Sequence, residues 1–232
     1  MHSFFDSFFD SVLDFLFPSN CPCCRRILSH SRMLVCERCY PDLPWLSEED
    51  VLQQGEGKSH CVSASWFSGN LREIIHAYKF EGYRQLAAPL ADPLAQQINR
   101  HYGDAFDLIT WVPISTKTLK ARGYDQSRLL AEALAKELGK STFPLLQKSR
   151  HTPAQSSLSS PAERRSNVMG AFALIEPAAI VGQRVLIVDD VITTGATLAE
   201  VGGILHRAGA AKVLCATLCR TPAAAKSPLK TK

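Results

Sequence analysis

The chain has 232 residues, of which 46% are hydrophobic and 21% charged, and its net charge is +4. That composition sustains a packed core and excludes wholesale disorder, and the length suits one medium domain with a small appendage. So modest a net charge gives no argument for nucleic acid. Its distribution is uneven, however: residues 115–170 hold ten Lys/Arg against four Asp/Glu, and Lys226, Lys230 and Lys232 form a basic tail. A local excess of this kind suits a polyphosphate ligand or a nucleic acid, with a plainly solvated surface as the alternative.

Residues 1–17 read as an amphipathic helix. Phe4, Phe5, Phe8, Phe9, Val12 and Leu16 form one stripe, and Ser3, Ser7, Ser11, Asp6, Asp10 and Asp14 the other, with Pro18 as the stop. The acids and the missing basic start argue against a signal peptide, and the stretch is too short and acidic to span a membrane. Its acidic face also disfavours anionic lipid, which leaves the chain's own body or a protein partner to cover the phenylalanines.

A cysteine cluster follows. Cys21 and Cys24 make one C-x-x-C knuckle and Cys36 and Cys39 another, with eleven residues between. Two thiolates converge from each tight turn, so the four predict a tetrahedral structural Zn²⁺ site, with Cys23 as a less well spaced substitute. Disulfides are the rival, disfavoured because no export signal precedes them and a reducing cytoplasm is implied. Cys61 stands apart after His60. Residues 44–59 read as a turn-rich linker, so residues 1–57 are expected to form a helix-and-zinc-ribbon module with a core separate from that of residues 58–232.

Leu71, Ile74, Ile75 and Tyr78 fall on one face of a helix leading into Lys79-Phe80-Glu81-Gly82, and a second helix over 86–98 is interrupted or tilted by Pro89 and Pro93. A strand over 107–112 stops at Pro113. A helix spans 128–138, a short strand lies near 143–146, and residues 148–169 are polar without a clear period. A strand over 171–174 precedes Val185-Leu186-Ile187-Val188, whose four aliphatics fit a strand buried on both faces. A helix from Leu198 and a last strand over 212–219, with Cys215 and Cys219 as buried thiols, complete the pattern. Strands alternating with helices mean an α/β fold with a parallel sheet, with ligands at the carboxyl ends of its strands.

The chemistry concentrates where the 185–188 strand ends. Asp189 and Asp190 follow it directly, then Thr193, Thr194, Gly195, Ala196 and Thr197 lead into a helix. Such a turn aims backbone N–H groups, hydroxyls and a helix N-terminus at an anion. The acids suit ribose hydroxyls, or the water shell of a Mg²⁺ that a diphosphate carries. A Walker B strand also reads as aliphatics plus two acids. It requires a phosphate loop, and Gly139-Lys140-Ser141 follows a helical pattern and reads better as a helix C-cap.

The aliphatic–acid–acid–hydroxyl run resembles the phosphoribosyl-diphosphate (PRPP) motif of type I phosphoribosyltransferases. The resemblance implies that Asp189 and Asp190 take the ribose and act at the catalytic centre, and that Thr193 to Thr197 cradle the 5-phosphate. Val112-Pro113-Ile114-Ser115 is similar to the diphosphate loop of glutamine-dependent PRPP amidotransferases, with Ile114 in place of an acid, so backbone amides through Thr116 and Lys117 are the implied contacts. Thr152-Pro153-Ala154-Gln155 and Arg164-Arg165-Ser166-Asn167-Val168 resemble the mobile loop of those enzymes, which implies that Gln155, Arg164 and Arg165 fold over the ligand.

Arg122-Gly123-Tyr124-Asp125-Gln126, the Lys79-Phe80 segment, Cys219-Arg220-Thr221 and the zinc knuckles together resemble the ComF family of competence proteins. That resemblance implies a zinc-ribbon phosphoribosyltransferase-fold protein of the cytoplasm. It would bind PRPP with Mg²⁺ and transfer the phosphoribosyl group to a nitrogen nucleophile. It would be tied to DNA uptake or utilisation, with a DNA-translocating ATPase or other competence protein as partner and only weak, nonspecific nucleic-acid contact. A non-catalytic PRPP or nucleotide sensor and a protein-interaction module of DNA import are the alternatives.

Overall fold

The computed structural model describes residues 20–30, 33–54, 60–149, 166, 168–176 and 180–222. The amphipathic stretch 1–17, Gln155, Arg164, Arg165 and the basic tail lie outside the described residues.

A six-stranded sheet forms the centre. It comprises β1 (Leu52–Gln54), β2 (His60–Trp66), β3 (Leu108–Trp111), β4 (Ser141–Thr142), β7 (Arg184–Ile192) and β8 (Lys212–Arg220), in the spatial order β1-β2-β8-β7-β3-β4. All neighbours run parallel except β1 and β2. β5 (Leu146–Lys148) and β6 (Phe172–Leu174) form a separate antiparallel pair. The helices are α1 (Glu48–Val51), α2 (Gly69–Phe80), α3 (Ala87–His101), α4 (Thr116–Arg122), α5 (Gln126–Leu138) and α6 (Ala196–Arg207).

The period-2 geometry of a strand explains the four aliphatics of β7. Leu186 and Val188 join Leu214 and Ala216 of β8 in a core covered by α2, α3 and α5. Val185 and Ile187 join Val213 and Cys215 in a second core under α6 and the β5–β6 pair. Cys215 and Cys219 are both buried, as anticipated.

Several elements depart from expectation for identifiable reasons. The strand does not end at the acids: β8 pairs with β7 from Arg184↔Lys212 through Asp189↔Thr217 to Ile192↔Arg220, which carries the extended backbone past both carboxylates. β2, His-Cys-Val-Ser-Ala-Ser-Trp, has no aliphatic run to announce it. Its interior serines are buried because each finds a partner on β8: Ser63 Oγ lies 2.8 Å from Thr217 Oγ1, and Ser65 Oγ donates to the Leu218 carbonyl at 3.1 Å. Residues 44–54 are no linker. Leu46 N donates to Ala64 O, Trp66 N donates to Pro44 O, and Val51 of α1 is buried.

α3 runs unbroken to His101 through Pro93. Pro89 sits in its first turn, where a missing N–H costs nothing, and the stripe Leu90, Leu94 and Ile98 is fully buried, which offsets one lost bond. The strand expected near 143–146 is split into β4 and β5 around Phe143-Pro144-Leu145. Cys21, Leu28, Leu34, Val35, Leu43 and Leu46 belong to the same buried cluster as α2, α3 and α5. The cysteine-bearing segment and the sheet thus share one core, where a linker over residues 44–59 would give separate ones.

Candidate functional site

The site forms where β3 leaves the sheet. The last β3–β7 pair is Trp111↔Val188, so one residue later β7 keeps β8 on one side and, among the described residues, has no paired strand on the other. Asp189 and Asp190 stand at that step. The first turn of α5 packs against them: Ser127 Oγ donates to Asp189 Oδ1 at 3.0 Å, and Gln126 Nε2 donates to Asp190 Oδ2 at 2.8 Å. Lys79, from the last turn of α2, closes on Asp190 Oδ1 at 2.9 Å. Asp190 is 4% exposed, so each oxygen of a buried carboxylate has a donor. Asp189 is half-buried, and its Oδ1 also accepts the Asp190 amide at 2.9 Å. Burial, and then the charge of Asp190, push the Asp189 carboxyl up to about 7.

Aromatic residues fix this contact. Tyr78 OH donates to the Gln126 carbonyl at 2.6 Å and Tyr124 OH donates to the Tyr78 carbonyl, locking the end of α2 to the start of α5. Arg122 donates to Gln126 Oε1, which turns the Gln126 amide nitrogen toward Asp190. Its guanidinium also lies over Phe80, 4.8 Å from the ring centroid. The segments Lys79-Phe80 and Arg122 to Gln126 therefore meet around one carboxylate.

The loop after β3 is held to the same end of α5. Asp125, the N-cap of α5, accepts Ser127 N at 3.0 Å and Arg128 N at 3.2 Å on Oδ1, and the loop amide of Ile114 at 3.2 Å on Oδ2. Burial raises its pKa while those three amides lower it. The Ile114 amide is thus already bound within the chain. Val112 and Pro113 are buried, and Ser115 caps α4 by accepting Thr118 N at 3.2 Å. Thr116 and Lys117 are exposed first-turn residues of α4 rather than parts of a loop. Ser115 also forms a parallel bridge with Lys148, whose ammonium burial destabilises and the Asp189 charge favours.

Past the acids, Thr193 to Gly195 turn into α6. Gly195 is its N-cap with φ +80°, a conformation costing an L-residue roughly 1–2 kcal/mol, which accounts for glycine at this step. Ala196 N donates to Thr194 Oγ1 at 3.4 Å, and Thr197 lies in the first helical turn. The N-terminus of a twelve-residue helix therefore opens beside the carboxylates.

At the other end of the chain, the Sγ atoms of Cys21, Cys24, Cys36 and Cys39 all lie within 4.8 Å of one another, and Cys24 and Cys36 are 3.5 Å apart. Tetrahedral zinc with bonds of about 2.3 Å sets its thiolates about 3.8 Å apart, so the four fit the ion. The Cys36 amide points at Cys21 Sγ at 3.4 Å. Burial opposes ionisation of Cys21, but the Cys36, Cys24 and Cys23 amides bring its thiol down to about 6. Cys23 lies outside the group, and burial followed by the Cys21 charge pushes it up to about 11.

Among the described residues, Asp189 and Asp190 thus meet the first turn of α5 and the end of α2, and Asp125 ties the loop after β3 to the same end of α5. Ser127 and Lys148 were not anticipated. A serine one step past an N-cap has no distinctive spacing, and Lys148 is marked only by its place at the head of a long polar segment.

Comparison with known proteins bears on this arrangement. The family described as phosphoribosyl transferase domain matches residues 124–232. DNA utilization protein YhgH of Salmonella typhi is 35% identical over 211 residues, covering 87% of this chain and 90% of that protein. The protein of the same name in Escherichia coli strain K12 is 32% identical over 206 residues, covering 87% and 84%. Competence protein ComFC of Streptococcus pneumoniae strain R6 is 28% identical over 211 residues, covering 91% and 85%.

Proposed function

The chain belongs to the ComF family of phosphoribosyltransferase-fold proteins, and we propose that it binds PRPP as the Mg²⁺ complex at the acidic step on β7. The observation that supports this reading is that β7 runs past the end of β3, carries Asp189 and Asp190 there and leads directly into the Thr193–Thr197 turn before α6, while Asp125 ties the loop after β3 to the α5 turn that meets both acids. In this reading the ribose hydroxyls sit at the acidic step of Asp189 and Asp190, the N-terminus of α6 takes the 5-phosphate, and the diphosphate faces the Val112–Lys117 wall beside Lys148. Mg²⁺ arrives with the diphosphate and neutralises part of its charge. Gln155, Arg164 and Arg165 would cover the ligand.

As an enzyme the protein would let diphosphate leave the anomeric carbon while a nitrogen nucleophile enters. Asp189 would favour the positive charge that develops on the ribosyl group, and the basic wall would favour the departing diphosphate. Titration calorimetry tests the binding step. Wild type binds PRPP only with Mg²⁺, and Asp189→Asn with Asp190→Asn weakens binding at least tenfold with an unchanged circular dichroism spectrum. Equal affinity in both proteins rejects the site. Diphosphate release measured over a panel of nucleobases and ammonia separates a transferase from a sensor.

The relatives named for DNA utilization and competence support a cellular role in DNA uptake or utilisation. Among the described residues no helix is long and apolar enough to cross a membrane. The four-cysteine site would hold structural Zn²⁺. The Phe4–Leu16 stripe would dock a DNA-translocating ATPase of the import machinery, so removing residues 1–17 abolishes that capture without changing PRPP affinity. Capture by the truncated protein would refute this partner assignment. Direct nucleic-acid binding would be weak, nonspecific and steeply salt-dependent.

A further inference from the structure

Lys79 lies outside the matched residues 124–232, yet it enters the acidic step from α2. Its side chain is 21% exposed and that of Asp190 is 6% exposed. The second Asp190 oxygen is held by Gln126, which Arg122 orients in turn. The two acids are therefore not equivalent. Asp190 is buried with both oxygens engaged, while the donors to Asp189, Ser127 Oγ and the Asp190 amide, both fall on Oδ1. Among the described residues, both hydrogen bonds to the Asp189 carboxylate are on Oδ1 and Oδ2 takes neither.

We infer that Lys79 is the positioning residue of the acidic pair: its ammonium makes Asp190 a fixed strut and leaves Asp189 as the one acid presented to a vicinal diol. For the identity of the ligand this rests on the PRPP reading; the asymmetry rests on the contacts alone. The electrostatic surroundings of Asp189 agree with it. Asp190 stands beside it on β7, and Asp125 lies across the pair on α5. Lys148 approaches from β5, and the thiols of Cys61 and Cys215 from β2 and β8. Burial and the Asp190 charge oppose ionisation of Asp189, and Lys79 favours it, with Lys148 as a second cation nearby. Removing the Lys79 charge leaves a site that holds a proton where a carboxylate is needed.

Two measurements test this. In ligand-free protein with ¹³C-labelled aspartate, carboxyl NMR should show the Asp189 midpoint rising by about one unit in Lys79→Met and staying at the wild-type position in Lys79→Arg. By calorimetry, Lys79→Met should bind Mg-PRPP about fivefold more weakly at pH 7, because a midpoint moved from about 7 to about 8 cuts the ionised fraction from about one half to about one tenth. Most of that loss should be recovered by pH 9, whereas a merely structural defect persists at every pH. In the wild type, Mg-PRPP should move the Asp189 carboxyl resonance and leave that of Asp190 in place, a readout that needs no variant to fold. An unmoved Asp189 midpoint in folded Lys79→Met, or equal ligand shifts at both acids, overturns the inference. If wild type binds no PRPP at any pH, the ligand assignment fails, while the ligand-free titration still decides the role of Lys79.

Discussion

Asp189 illustrates how a binding residue works against the fold that holds it. Its folded-state pKa of about 7 lies above the value of about 3.9 for an unfolded aspartate. Between those values the native state binds more protons than the unfolded chain, so stability falls as pH rises from about 4 to about 7 and stays low above that. Asparagine at 189 keeps an oxygen for Ser127 and for the Asp190 amide but carries no charge. Asp189→Asn should therefore be more stable than wild type in urea unfolding, by about 1 kcal/mol or more at pH 8 and by less at pH 5, at about 1.4 kcal/mol per pKa unit. A gain that is equal at the two pH values would contradict the burial described for this carboxyl. The residue that the sequence singles out most clearly is thus one that the fold tolerates at a cost. Its charge was legible from the aliphatic run before it; that Asp190 and not Asp189 is the locked member was not, because Lys79 lies more than a hundred positions away.

At the scale of elements, Asp125 joins two pieces whose relation no local pattern reveals. One carboxylate caps α5 and holds the Ile114 amide of the loop after β3. Asp125→Ala should lose about 1–2 kcal/mol, the usual cost of a lost N-cap, and should also release the loop. Asp125→Asn should keep most of the cap. Comparable urea midpoints for Asp125→Ala and wild type would show that the cap contributes little. α2, β7, α6 and β8 were legible because their apolar residues recur at the period of the element. β2 and α4 were hidden for opposite reasons. β2 buries serines whose partners sit on a strand far along the chain, whereas α4 buries none of its residues and so carries no apolar stripe to read. The β4–β5 break was legible in principle, because Pro144 has no N–H to give to a strand ladder.

Across the whole molecule, the shared core decides what metal loss does. Cys21 and Leu34 lie in the same buried cluster as Tyr78, Leu94 and Leu218. Arg220, at the end of β8, donates to the Asp50 carbonyl and lies over Trp66, 5.1 Å from its ring centroid. Structural zinc contributes directly to folding. Cys36→Ser with Cys39→Ser should therefore remove one zinc per chain, as measured by metal analysis, and lower the melting temperature of the sheet as well as of the cysteine segment, in a single transition. Two resolved transitions, the upper at the wild-type temperature, would indicate separate folding units. Full zinc in the double mutant would reject the four ligands.

The pairing of β2 with β8 also sets a timetable. Ser63 and its partner Thr217 are 154 residues apart. At about 5–20 residues per second, a ribosome takes roughly 8–30 s to cover that interval. During that time the nascent chain presents β2 with one edge unfilled, a template for pairing with another chain. The antiparallel β1 covers only the opposite edge. Anything that stalls translation within this interval, or cuts the message short of β8, leaves that edge open, so truncated products should aggregate even when every residue of the cysteine segment is present.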